Sequence, residues 1–334
     1  MPFSCARKVW FRGVLLVVVA VSSVWAQTCL TSEDLDAATR SSLEAAGRKF
    51  FNLTATGATS EMQAASIPSV AKDFGGIANA VKESQPNLAG ATPTVRPPYL
   101  LKLDSKEPVP RAEFLCGVFG KSGQTPNSAV FVIPNLPPGD YAVVITEAAG
   151  KTPFTVSFVL QKLGADWLLG GFYAKPAQVA GHDAQWFWDQ ARAFKSKGKN
   201  RDAWLYYLQA RDLFSPVPFM STMATDKIYD ESQGLQPTDL PTAGSSVDLT
   251  AGSKTYRLTG VFAVGVGDDL DLVVKYESPS VSNTQLAYQD NVALIKALLA
   301  KFPELREGFN AIIARATEPS GKDYGTLLAV KDVP

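Results

Sequence analysis

The chain has 334 residues, 46% hydrophobic and 19% charged, the proportions of a globular protein long enough for two or three domains and for substantial cores. Lys plus Arg and Asp plus Glu both number 32, which removes the basic excess of a nucleic-acid binder. One His and three Cys leave almost no material for a zinc site or a histidine proton relay.

The N-terminus carries Arg7, Lys8 and Arg12, then an apolar run from Val14 to Val21, then Val24-Trp25-Ala26. A charged start, a short hydrophobic core and a small residue at the end make residues 1–26 a secretory signal peptide, whose eight consecutive apolar residues fall far short of the ~20 that span a bilayer. No stable membrane anchor is expected, and no lipobox precedes Cys29. Cleavage after Ala26 removes three basic residues and no acidic ones, so a balance of 32 against 32 becomes a mature excess of three acids. Cys5 leaves with the leader. Cys29 and Cys116 remain as a pair in an oxidising compartment, periplasmic or extracellular, where a disulfide between them persists.

Over 31–53, Leu35, Ala38, Leu43, Ala46, Phe50 and Leu53 recur at helical steps, with Glu33, Asp34 and Asp36 placed in the first turn. Ser60 to Gln63 has capping-box form, Pro68 interrupts, and Val70, Phe74, Ile77 and Val81 mark a second helix. A loop at 85–98 leads into short strands at 99–103, 113–119, 129–133, 141–146, 154–162 and 167–173, separated by Pro, Gly and Asp turns. In the fifth, Phe154, Val156, Phe158 and Leu160 alternate with Thr155, Ser157, Val159 and Gln161, so one face is expected to be the more buried. Helices followed by antiparallel strands predict the α+β class.

Two N-terminal helices, a strand meander and the closing Trp167-Leu168-Leu169-Gly170-Gly171-Phe172-Tyr173 with Lys175-Pro176 resemble the nuclear transport factor two-like, or cystatin-like, superfamily over 31–176. The resemblance implies a curved antiparallel sheet folded as a cone, whose mouth holds an active site in enzymes and a ligand or nothing in others. Tyr99, Phe114, Phe131, Tyr141 and Phe158 are then the candidate lining of an apolar pocket. The acid and histidine pair of the catalytic members has no counterpart, since His182 lies beyond the domain. Asn135 to Tyr141 also resembles a turn of carboxypeptidase regulatory-like β-sandwiches, a fold that two preceding helices do not suit.

Residues 182–214 read as two helices split by Lys195 to Asn200. Phe187, Ala191, Phe194, Gly198, Ala203, Tyr207 and Ala210 are similar to the small and aromatic pattern of a tetratricopeptide repeat, with Pro216 just beyond. A lone repeat cannot bury its own faces. Trp186, Trp188, Trp204 and Tyr206 lie outside the pattern and are the candidate interface with the cone, the last domain or a partner. A Gly-, Ser-, Thr- and Pro-rich linker at 231–253 precedes a β-β-α-β-β sandwich at 254–334, of strands at 256–266, 270–277, 309–316 and 324–330 around a helix at 285–302. The expected layout is leader 1–26, cone domain 27–177, helical hairpin 178–230, linker 231–253 and C-terminal domain 254–334.

The chemistry is sparse. Gly265 to Asp271 sets three carboxylates near a glycine turn, read as a hairpin turn rather than a calcium loop because EF-hand spacing is missing. His182 is read as a surface or capping residue, and Lys195, Lys197, Lys199 and Arg201 as a solubilising turn. No nucleophile elbow, phosphate loop, dinucleotide fingerprint or CxxC occurs. The sequence therefore supports no catalytic residue, metal or cofactor. It reads as a non-catalytic exported protein mediating protein–protein interaction with an unidentified partner in the cell envelope. The alternative is a small-ligand binder or cryptic hydrolase using the cone's pocket.

Overall fold

A computed structural model describes residues 26–119, 123–150 and 152–334. Apart from Ala26, the leader lies outside the described residues. The fold is mixed α+β. Strand β1 (Ala26–Leu30) precedes helices α1 (Ala37–Thr56), α2 (Thr59–Ala64), α3 (Pro68–Lys72) and α4 (Gly75–Leu88). Strands β2 (Pro93–Val95), β3 (Tyr99–Asp104), β4 (Val109–Cys116), β5 (Ala129–Leu136), β6 (Gly139–Ala148), β7 (Phe154–Leu163) and β8 (Asp166–Pro176) follow.

The acids ahead of α1 work outside the helix rather than in its first turn. Asp34 accepts from the Thr31 N–H at 2.9 Å and Asp36 caps the helix, accepting from the Thr39 N–H at 2.8 Å. Short carboxylate side chains compete for backbone donors just before a helix, which is why Asp serves better as a cap than inside. The box-like Ser60 to Gln63 is not used: α2 starts at Thr59, two residues earlier than a box capped by Ser60 would place it, after Ala58 and without a side-chain cap. Leu43, Phe50 and Phe51 of α1 are buried against Val144, Val156 and Phe158. Each such side chain contributes about 1.5–3 kcal/mol. Gly47 lets the helix this close, since a Cβ there would lie 2.6 Å from Val144 Cγ1.

The strands do not form one meander. β1, β3, β6, β7 and β8 make the main sheet in that order, with β2 continuing alongside β6, while β4 and β5 leave it to form a second sheet with β9 (Met220–Thr222). That small sheet covers the face opposite α1 and α4, so Phe154 to Phe158 is buried on both sides instead of alternating. Cys29 on β1 and Cys116 on β4 are disulfide-bonded with Cα atoms 5.0 Å apart, fastening the main sheet to the small one.

Helices α5 (Ala184–Ser196) and α6 (Asn200–Phe214) form the hairpin, with Asp183 capping α5. The chain then returns through Val217 and Met220 to the first core and continues into α7 (Met223–Ser232). Strands β10 (Val247–Ala251), β11 (Lys254–Val266) and β12 (Asp269–Glu277), helices α8 (Thr284–Lys301) and α9 (Leu305–Gly308), and strands β13 (Ala311–Thr317) and β14 (Asp323–Ala329) complete it. The last sheet runs β10-β11-β12-β13-β14, antiparallel except for β12 with β13, which α8 connects. The supposed linker is structured at both ends: α7 reaches Ser232, Leu240 is buried, and β10 is a strand of the sheet. The hairpin and the last sheet share one hydrophobic core.

Candidate functional site

Tyr99, Phe114, Phe131 and Tyr141 come together in the core between the two N-terminal sheets, while Phe158 points to the helical side of the main sheet. All five are buried. Residues one apart on a strand face opposite ways, and β4 and β5 left the main sheet, so these rings fill two cores and do not line one open pocket.

The tryptophans are likewise spent inside the molecule. Trp188, Trp204 and Tyr206 are buried in the shared core and Trp186 packs on it. Tyr206 donates to the Gly308 carbonyl at 2.6 Å, and Trp188 donates to Glu231 at 2.9 Å. Arg192 grips both oxygens of Glu231 at 2.7 and 2.8 Å and lies over the Trp188 ring. These bonds, Arg192's first, hold the Glu231 carboxyl down to about 2, while burial and Glu231 push the Tyr207 hydroxyl up to about 12. The hairpin is covered by α7, α9 and β11, with Trp188, Trp204 and Tyr206 buried in the core and Trp186 partly buried against it.

The basic turn is paired. Lys199 meets Glu307, Arg201 bridges Asp239 and Glu304, and Lys195 donates to the Glu231 carbonyl. Beneath it Asp202 is fully buried with neither oxygen hydrogen-bonded, and desolvation pushes its carboxyl up to about 7. His182 stacks on Trp186 with centroids 3.6 Å apart, in a small cleft that Asp268, Arg306 and Glu307 also line. Around Gly267 the β11–β12 connection is a tight hairpin turn. Among the described residues no three His, Cys, Asp or Glu side chains converge on a common point.

A groove of about 730 Å³ lies elsewhere, between α6, α7, the 233–244 segment and β11. Trp204, Leu208 and Arg211 are spaced about one turn apart on α6 and so share a face, with Trp204 at the floor. Leu208, Tyr229 and Phe262 stay 40%, 52% and 42% exposed. The Arg211 guanidinium lies 5.3 Å from the Tyr229 ring centroid, and Arg211 is the only charged residue of the lining. β11 explains Phe262: its neighbour Val261 turns into the core, so Phe262 turns to the open face. Neither carboxylate nor His nor Cys lines the groove. It can hold apolar surface beside an anion; it has no acid–base pair.

Sequence reasoning passed over Leu208, Arg211, Tyr229 and Phe262. The signal available was that Leu208 and Arg211 fall off the small and aromatic stripe of the hairpin. Comparison with protein-family models, with curated proteins and with solved structures found no match. Among the described residues no helix is long and apolar enough to cross a membrane.

Proposed function

We propose that this is an exported, non-catalytic protein that binds another protein, and that the groove between α6, α7 and β11 is the contact surface. The observation that carries the reading is the exposed trio Leu208, Tyr229 and Phe262, with Arg211 over the Tyr229 ring and Lys275 over the Phe262 ring. Partly exposed aromatic and aliphatic side chains beside an arginine are the make-up of interface hot spots, and the groove's charge calls for a partner segment that brings a carboxylate with its apolar residues. The Cys29–Cys116 disulfide and the leader-like N-terminus support export. The likeness of 182–216 to a tetratricopeptide hairpin supports an interaction role, and a nuclear transport factor two-like origin remains our reading of 31–176.

The test is chemical cross-linking in the envelope of cells making either the native chain or Leu208→Glu with Arg211→Glu. Both sites are surface positions, so folding should be unaffected. A cross-linked species present with the native chain and lost with the double variant is the expected result. Identical patterns from both chains would remove the groove from the function.

A further inference from the structure

We propose that strand β14 is the interface of a symmetric homodimer, in which two copies of the last sheet join edge to edge. This does not rest on the groove, which lies at the other end of the sheet order, beside β11.

β14 pairs with β13 on one side and ends the sheet. Bonds from Glu318 N–H to the Lys322 carbonyl and from Val330 N–H to the Asn310 carbonyl, both 2.8 Å, flank the ladder and fix its alternation. Even-numbered residues 322 to 330 bond toward β13. The N–H and C=O groups of Asp323, Gly325, Leu327 and Ala329 therefore point away from the sheet, and among the described residues no protein group meets them. Unpaired strand edges are templates for another strand unless they are short, charged, bulged or covered.

The two edges of this sheet differ in that protection. β10 has five residues, and the two-residue turn at Gly252-Ser253 puts Asp248 in an outward-bonding position. β14 has seven residues, no Lys, Arg or Pro, and no register shift against β13. Its one charge, Asp323, sits at the end and is held by Arg315 at 3.0 Å.

The occupant is a second copy because the strand is self-complementary. An antiparallel pairing about a two-fold axis at Thr326 sets Asp323 opposite Ala329 and Gly325 opposite Leu327, so each of the four outward residues bonds to an outward residue of the second copy. No like charges face each other. Leu327, 48% exposed, comes to lie over the place where Gly325 of the second copy has no side chain. Leu327 also ends a cross-strand row on the open sheet face, Phe262-Val273-Ile313-Leu327. The pairing sets the two rows side by side on one face, offset by two residues along the strand. On the other face Tyr324 meets Leu328 of the second copy, beside Tyr288, which is 47% exposed and lies on the flank of α8 where Asn291 bonds Thr326.

Sedimentation velocity on the secreted chain, over roughly 1 to 100 µM, tests this. The native chain should reach twice the monomer mass. Leu327→Lys should weaken association at least tenfold, and Leu327→Pro should abolish it, because the Leu327 N–H points outward and the monomer loses no hydrogen bond to proline. If the proline variant does not fold, the lysine variant, checked by its melting curve at dilution, carries the result. A native chain that stays monomeric throughout, or a dimer that folded Leu327→Lys leaves unweakened, would overturn the proposal; a monomer leaves β14 to a strand from a different protein.

Discussion

The two halves of the molecule bury a sheet in different ways. In the first, α1 and α4 cover one face of the main sheet and the β4-β5-β9 sheet covers the other, with a disulfide between the two sheets. In the second, α8 covers one face, the other is open along Phe262 and Leu327, and the core extends sideways into the α5–α6 hairpin through ion pairs. A layer covered on both faces keeps the apolar side chains of the main sheet inside, and the exposed Leu115 and Phe119 lie at and just beyond the end of β4. A sheet covered on one face keeps an apolar row, a groove and a free edge, so the contact surfaces we propose lie in the second half.

Removing the staple is the sharpest way to separate the halves. Replacing Cys29 and Cys116 by Ser frees a connection of 87 residues, which in the chain-entropy model costs about 4 to 5 kcal/mol. Hydrogen exchange should show β6 and β7 amides losing protection while those of β12 and β13 keep theirs. Equal loss in both sheets would mean that Val217 and Met220, which tie the chain after the hairpin into the first core, make the halves one cooperative unit.

Asp202 breaks the comparison from the other side. Its carboxyl faces Glu304 and Glu307, which disfavour its charge, and Lys199 and Arg201, which partly offset them, but burial dominates. Because its folded value is raised to about 7 from the ordinary 3.8, stability is greatest below that ordinary value and falls as pH rises through 7, on the order of 4 kcal/mol in all. Asp202→Asn should remove this slope and stabilise the second half at pH 8, as a thermal melt against pH would record. An unchanged slope would show that Asp202 finds a partner in solution.

Glu231 works in the opposite window. Held down to about 2 by Arg192, it contributes stability above the usual carboxylate range that is lost as pH falls through about 2. Glu231→Gln should cost about 1 to 2 kcal/mol at pH 7 and nothing at the acid limit. Urea midpoints at the two pH values check it. With Asp202→Asn the pair predicts a second half most stable between these limits.

The α+β class, the main helices and most strands were legible because they depend on local periodicity and on turn residues, and the cysteine pair was legible because only Cys29 and Cys116 follow residue 26. The split of the meander into two sheets was not. β4 and β5 carry the same alternation as their neighbours, and nothing in β4's residues says that it pairs with β5 and not with β3. β10 was hidden for a related reason: five residues at a sheet edge are polar enough to read as linker until Tyr256 and Leu258 beside them give it a place.

The aromatic residues show the same division. Their number and spacing in 186–207 established that the hairpin needs covering, since that much apolar surface cannot stand in water. Only the tertiary structure decided that α9 and Glu231 cover it, and that Leu208, Tyr229 and Phe262, from three elements, are left exposed around one groove. By itself the sequence determined composition, compartment signals and local elements, which are properties of neighbouring residues. Which faces remain open is a property of what packs against them, and that is settled by long-range contacts that periodicity does not encode.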